Sequence, residues 1–424
     1  MGKSAKSPIF YGWYVLFSAF LILFCVQGAR TIIGVMFKPV IAELSLSRSA
    51  LSLAAFINMA VFASTLTIIG TYYDRYGAKR VLIISSLFLA LGYIGIARVH
   101  SIWSFIILYG ILAALGFGGT SIPLFAALIG KWFSRYRGLA ISMAIAGGCL
   151  GQFVLVPLAS QFVTAFGWRI SFAIIGAAIL GVNLPLIHFL IKEKPEDMNL
   201  KPYGLNAVQR QNSDVSISAV EIDRPDSGLW DAMHTSSFWL YLTIMFICGG
   251  GDYLVITHFI PMATDSGISA LTAGRMLGLA GIFSLIGVLA AGPVVDRWGN
   301  KKPVMATFLL RVIVFLMICI YQTLLSYYIF AAAFGFTMLI TAPITTTLVG
   351  RLYGFTYVGV ITGFITTVHH FSGGLWAWLG GVIFDSFGSY QLAFAISSLL
   401  ALMASGCAML IREKKHTPAP EGMR

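Results

Sequence analysis

Charge is what this chain has least of. Asp, Glu, Lys and Arg make up 10% of its 424 residues, and the acids are scarcer than the bases, 16 against 28. Water-soluble domains carry about 25% charged residues, so a soluble globular protein is excluded. Cysteine is also thin. Cys25, Cys149, Cys248, Cys319 and Cys407 are odd in number, fall inside apolar stretches and show no C-x-x-C spacing, so neither a disulfide framework nor a metal site is implied. Motifs of enzyme chemistry are missing too. No G-x-x-x-x-G-K-[ST] loop is present, the His369-His370 pair is not H-E-x-x-H, and no Ser, His and Asp set has a supporting context. An enzyme is not expected, nor a cofactor. The N-terminal MGKSAKSPIFYGWYVLF places Lys3 and Lys6 before an apolar run, but that run outlasts the ~7–15 residues of a signal peptide and has no small-residue cleavage site.

What the chain does have is hydrocarbon: 58% of it is hydrophobic and 14% aromatic, for a mean hydropathy of +0.86. Runs such as 81–97, 172–190 and 390–411 approach or exceed the ~20 residues that let a helix cross a bilayer. They do not alternate as barrel strands would. Gly, Pro and charge clusters delimit helices over 12–41, 49–73, 80–98, 102–130, 137–165, 168–191, 236–263, 271–295, 303–322, 325–350, 356–385 and 389–411. The expectation is an all-α membrane protein of twelve transmembrane helices, with both termini on one side. Placing that side in the cytoplasm puts 21 of the 28 basic residues there, as the positive-inside rule requires. Orientation and attraction to anionic lipid account for the formal charge of +12, and no nucleic-acid partner is needed.

The segment GTYYDRYGAKR (70–80) returns as GPVVDRWGNKK (292–302), an offset of 222 that Asp74 and Asp296, Gly77 and Gly299, Ser47 and Ser269, and Pro39 and Pro261 all keep. At an offset of 221, FGWRISFAII (166–175) matches FGSYQLAFAI (387–396). The chain therefore divides into an N-terminal six-helix half (1–191), a polar linker (192–234), a C-terminal six-helix half (235–411) and a tail (412–424), the halves being parallel repeats related by a pseudo-twofold axis. The G-x-x-x-D-R-x-G-x-K-R loop, repeated with Lys302 in place of the final Arg, resembles the signature of the major facilitator superfamily. WFSRYRGLAISMAIAG (132–147) is similar to the fifth-helix signature of its monocarboxylate transporters and their bacterial oxalate and lactate relatives. YGWYV (11–15) keeps the Gly and Trp of that family's first-helix signature without its acid, and 283–295 lacks the helix-8 Arg such transporters often carry. The resemblance implies secondary transport, a monomer and a plasma membrane location, the inner membrane in a bacterium. It also implies that the loops latch the cytoplasmic side, with Gly70, Asp74, Arg75, Gly292, Asp296 and Arg297 as gating residues. Gly70 and Gly292 would let neighbouring backbones approach, and Asp74 and Asp296 would cap a helix or pair with Arg across the halves. Ala78 and Asn300 replace the bases often found there.

An ionisable side chain at mid-bilayer costs at least ~2.5 kcal/mol, so each needs a partner or a wet cavity. Arg30, Asp252, Arg311, His369 and His370 qualify. Arg30 and Asp252 are 222 apart and so equivalent in the two halves. They are expected to pair across the centre, opening when a carboxylate claims Arg30 and Asp252 takes up a proton, or else to form a permanent salt bridge. Gly249–Gly251 is expected to weaken the seventh helix into a broken segment lining a cavity. The resemblance places His369 near a substrate-binding cation of the oxalate-transporting relatives. Substrate contacts are thus expected from Arg30, His369, Asn58 and Gln152, and proton coupling from Asp252, His369 and His370. Arg311 reads as structural, pairing within its own half or snorkelling, and His258 as a gate or a plain hydrogen-bond donor. Lys38, Arg48 and Arg275 read as anchors near the outer ends. The leading expectation is proton symport of a small organic anion, a monocarboxylate first. Carboxylate exchange, export of a larger amphipathic compound and a non-transporting sensor of the same fold are the alternatives.

Overall fold

The structure, a computed structural model, describes residues 10–205, 228–354 and 356–411. Most of the expected linker (206–227) and the tail (412–424) lie outside the described residues. The helices are α1 (Gly12–Thr31, continuing as Ile33–Leu44), α2 (Arg48–Tyr76), α3 (Ala78–Ile96), α4 (Ile102–Trp132), α5 and α6 (137–166 and 168–190), α7 (Ser236–Asp265), α8 (Ala270–Trp298), α9 (Lys301–Ile320), α10 (Leu324–Tyr353), α11 (Val358–Phe387) and α12 (Gln391–Leu410). Among the described residues, ten stretches are long and apolar enough to cross a membrane. One of them, Arg137–Leu190, turns at Gly167 and crosses twice, and α11, less apolar because of its His pair, adds the twelfth crossing. All twelve helices end within three residues of the expected positions.

The repeat is visible in how equivalent helices begin and end. The Ser47 hydroxyl accepts the Ala50 amide to start α2, and Ser269 accepts that of Thr272 to start α8. Gly77 at φ 83° and Gly299 at φ 74° then end those helices in a backbone region that a side chain disfavours. Two corrections belong at these loops. Asp74 caps nothing: the Glu193 carboxylate, arriving with the linker, accepts the amides of Ala78 and Lys79 at 2.8 and 2.9 Å and caps α3. Asp74, Arg75, Asp296 and Arg297 are exposed, and among the described residues none makes an ion pair.

Gly70 and Gly292 are the second correction. A Cβ at either would meet nothing within 4 Å, and the same is true of Gly138, Gly359 and Gly363. Gly70 and Gly292 therefore do not bring neighbouring backbones together. At the opposite end the two halves are pressed together by small residues. Gly374 and Gly381 of α11 lie on the α2 backbone at Phe56 and Arg48. Gly274, Gly278 and Gly281 of α8 lie on α5 at Ser160, Pro157 and Cys149, and Gly34 of α1 lies on the Ile256 carbonyl of α7. Lipid tails are as apolar as Leu, so close backbone packing rather than hydrophobic burial holds such seams.

A lock of charges seals that closed face. Arg48 at the head of α2 donates from NH1 and NH2 to both oxygens of Asp265 at the foot of α7, at 2.6 and 3.0 Å, and from NH1 to the Tyr390 hydroxyl at 2.9 Å. Lys38 reaches Asp265 at 2.6 Å, and the Asp385 carboxylate accepts the amides of Arg48 and Ser49. Lys38 and Arg48, expected as anchors, therefore join the two halves. Asp265→Asn should weaken the lock by about 1.5–3 kcal/mol, the worth of a charged hydrogen bond. Spin labels on α2 and α7 near that face should then show a new, longer distance population, absent from the unsubstituted chain.

Candidate functional site

α7 places Cys248 and Asp252 one turn apart on one face. The glycines between them do not break the helix. α7 runs unbroken from Ser236 to Asp265, and Gly249 lets the His369 backbone of α11 rest directly on it, while Gly250 meets Trp376 and Gly251 meets Phe315 and Arg311. The discontinuities fall elsewhere: at Ile32 in α1, at Thr120–Ser121 in α4 and at Leu339–Ile340 in α10.

Asp252 does not pair with Arg30. Its Oδ1 accepts from Arg311 NH2 at 2.7 Å, and its Oδ2 lies 3.3 Å from His369 Nε2 and 3.6 Å from Cys248 Sγ. Arg311 comes from α9 of the same half, where Thr337 Oγ1, the Thr337 carbonyl and the Cys248 carbonyl take its remaining bonds at 3.1, 3.1 and 3.3 Å. Equivalent positions in a repeat share depth in the membrane, but the carboxylate turns to the cation best supported by further hydrogen bonds. The within-half pairing expected of Arg311 is what is found.

Arg30 is left in different company. It lies in the last turn of the first segment of α1, where the Tyr93 hydroxyl donates to the Ala29 carbonyl at 2.9 Å. Its guanidinium carbon sits 3.9 Å from the Phe62 ring centroid, 5.5 Å from Tyr253 and 5.7 Å from Phe117. NH2 reaches the Met59 sulfur at 3.2 Å, and Nε has no partner. Among the described residues no acid pairs with it, although it is only 8% exposed. His370 joins the same cluster from α11, its ring 4.8 Å from Phe62 and 5.9 Å from Tyr253. Residues of α1 and α2 in one half and of α7 and α11 in the other thus meet around one cation.

The remaining candidates lie apart. Asn58 is fully buried, and its Nδ2 donates at 2.6 Å to the Tyr109 carbonyl of α4, within a π-helical stretch, Ile106–Ala113, whose loosened bonding frees such carbonyls. Gln152 donates to the Leu277 carbonyl at 3.0 Å and stitches α5 to α8. His258 is enclosed between the Tyr390 hydroxyl and the Ala377 carbonyl, at 3.0 and 2.7 Å, next to the charged lock. The rings of Phe62, Phe117 and Tyr253, the sulfur of Met59 and Thr337 were not anticipated. Apolar and hydroxyl side chains in a membrane helix carry no mark that separates a site wall from a lipid face.

Comparison with known proteins agrees with this fold. The family model described as Major Facilitator Superfamily matches residues 19–377 and 242–423. The chain belongs to the major facilitator superfamily. Members of this superfamily among its curated relatives include the uncharacterized MFS-type transporter YcxA of Bacillus subtilis, 23% identical over 91% of both chains. Monocarboxylate transporter 13 of Rattus norvegicus is 23% identical over 93% of this chain and 88% of its own. Monocarboxylate transporter 12 of Homo sapiens is 22% identical, over 96% and 82%. Among solved structures, a bacterial homologue of the lysosomal transporter Spinster in an inward-facing, occupied conformation superposes with a TM-score of 0.72 at 17% identity, covering 98% of this chain and all of its own. The nucleoside transporter NupG gives 0.71 at 13% identity, over 95% and 99%. The protein is a multi-pass membrane transporter of this superfamily and not an enzyme.

Breaking a buried ion pair from one side costs about 3–5 kcal/mol, because it strands the other charge. Arg311→Gln alone should therefore lower the thermal midpoint of the detergent-purified protein sharply. Asp252→Asn combined with Arg311→Gln should recover most of that loss.

Proposed function

We propose that this transporter carries a small organic anion, a monocarboxylate first, together with a proton. One observation carries the reading: Arg30 holds a permanent charge at mid-membrane with no acid beside it among the described residues and a free Nε, while Asp252 is already engaged by Arg311. Two oxygens of a carboxylate match the edge of a guanidinium. Phe62 lies over the guanidinium, with Phe117 and Tyr253 farther off, which favours a ligand entering in the guanidinium plane. The monocarboxylate transporters among the relatives support the same ligand class.

An anion held at Arg30 adds negative charge near Asp252 and repels its carboxylate. Uptake of one proton by the Asp252 and His369 pair removes that repulsion, so anion and proton move together. Exchange of access then requires the Arg48 lock to open while the two signature loops close. The bases on those loops support a cytoplasmic position for the face that is open here, and with it both termini. A monomer in a bacterial inner membrane is the setting the resemblance favours.

The test is uptake of labelled lactate, pyruvate, acetate and oxalate into proteoliposomes, with and without an inward proton gradient. Uptake of a monoanion should rise with the gradient. Arg30→Gln should weaken apparent affinity at least ~10-fold, the loss of one or more charged hydrogen bonds. Asp252→Asn should abolish gradient stimulation while counterflow persists. Absence of carboxylate flux under every gradient would overturn the anion assignment, and binding without flux would point to a sensor.

A further inference from the structure

The two adjacent histidines differ in what their ring nitrogens are free to do. His369 directs Nε2 at Asp252. His370 sets Nδ1 2.8 Å from the Thr366 carbonyl oxygen, one turn earlier on α11. A carbonyl only accepts, so Nδ1 carries the hydrogen, and in the neutral imidazole Nε2 is then left with a lone pair and no hydrogen. Among the described residues no hydrogen bond is formed by that Nε2.

Its position relates it to Arg30. Phe62 and Tyr253 touch both side chains, and the centres of the guanidinium and the imidazole can be no farther apart than the two Phe62 separations laid end to end, 3.9 Å and 4.8 Å. A carboxylate bonded to a guanidinium nitrogen at about 2.8 Å, with a hydroxyl on the next carbon, carries a donor across a distance of that order toward the imidazole. A hydroxyl in the wall, such as that of Tyr253, can donate or accept and so serves either kind of substituent. An imidazole that donates from Nδ1 offers only acceptance at Nε2.

We infer that His370 is a specificity-determining residue whose Nε2 accepts a hydrogen bond from a donor next to the substrate carboxylate, so that the site prefers a 2-hydroxy acid to the 2-oxo acid of the same skeleton. This rests on the reading of Arg30 as the carboxylate seat. A 2-oxo acid presents an oxygen lone pair to the Nε2 lone pair, and a buried acceptor left without its donor is how polar sites reject near-isosteres.

The experiment is concentration-dependent uptake of 2-hydroxypropanoate and 2-oxopropanoate by the full chain in proteoliposomes, as wild type, His370→Gln and His370→Phe. Wild type should show an apparent KM about tenfold lower for the hydroxy acid. His370→Phe should raise the KM of the hydroxy acid about tenfold more than that of the oxo acid, erasing the difference. His370→Gln, whose amide oxygen can accept, should retain part of it. A purely structural role for His370 would move both constants together. Equal constants in wild type, or a preference that survives His370→Phe, would overturn the inference while leaving the carboxylate reading intact. Failure of both acids to bind or move would overturn the two together. If His370→Phe does not fold, the wild-type ratio and His370→Gln decide.

Discussion

The buried pair of Asp252 and Arg311 is the interaction on which the site depends. Two charges withdrawn from water repay their desolvation only when their geometry is good and their remaining hydrogen-bonding capacity is used. Here Thr337 and the Cys248 carbonyl complete the guanidinium, and His369 and Cys248 flank the second carboxylate oxygen. The acid nearest the centre is thereby committed within the C-terminal half. The cation of the N-terminal half, Arg30, is left to aromatic faces and a thioether, which soften its charge without cancelling it.

That imbalance sits on the seam between the two halves. On one face glycine and serine bring backbones into contact and Arg48, Asp265 and Asp385 bridge the halves. On the other, Asp74, Arg75, Asp296 and Arg297 of the signature loops are exposed, and Gly70 and Gly292 face open space. The lock is polar and therefore separable, since charged partners parted on a water-exposed face can be rehydrated. The glycine contacts can re-form because they need no particular side-chain rotamer.

Much of the fold was legible because it follows from periodic or covalent rules. Hydrocarbon thickness sets helix length, Ser47 and Ser269 start equivalent helices, and Gly77 and Gly299 end them. The repeat misled where it was asked for side-chain direction. Arg30 and Asp252 occupy equivalent positions, yet each turns to a partner that the offset does not mention: Met59 and Phe62 for one, Arg311 for the other. Three consecutive glycines suggest a loosened α7, whereas Gly249 lets α11 approach it, because a missing side chain weakens a free helix and tightens a packed one. Arg48 reads locally as an anchor, since nothing near it in sequence reveals that Asp265 waits 217 residues away.

The amino-acid sequence alone determined the membrane setting, the twelve crossings, the duplicated halves and the identity of the few ionisable groups that lie within the bilayer. Those features depend on composition and spacing summed along the chain, where each residue adds to a total. Tertiary structure alone decided which cation neutralises Asp252, which one has no acid beside it among the described residues, which face of the seam is bridged by charges and which nitrogen of His370 meets the Thr366 carbonyl. These depend on directions and distances of a few ångströms between helices far apart in sequence, and no local preference encodes them.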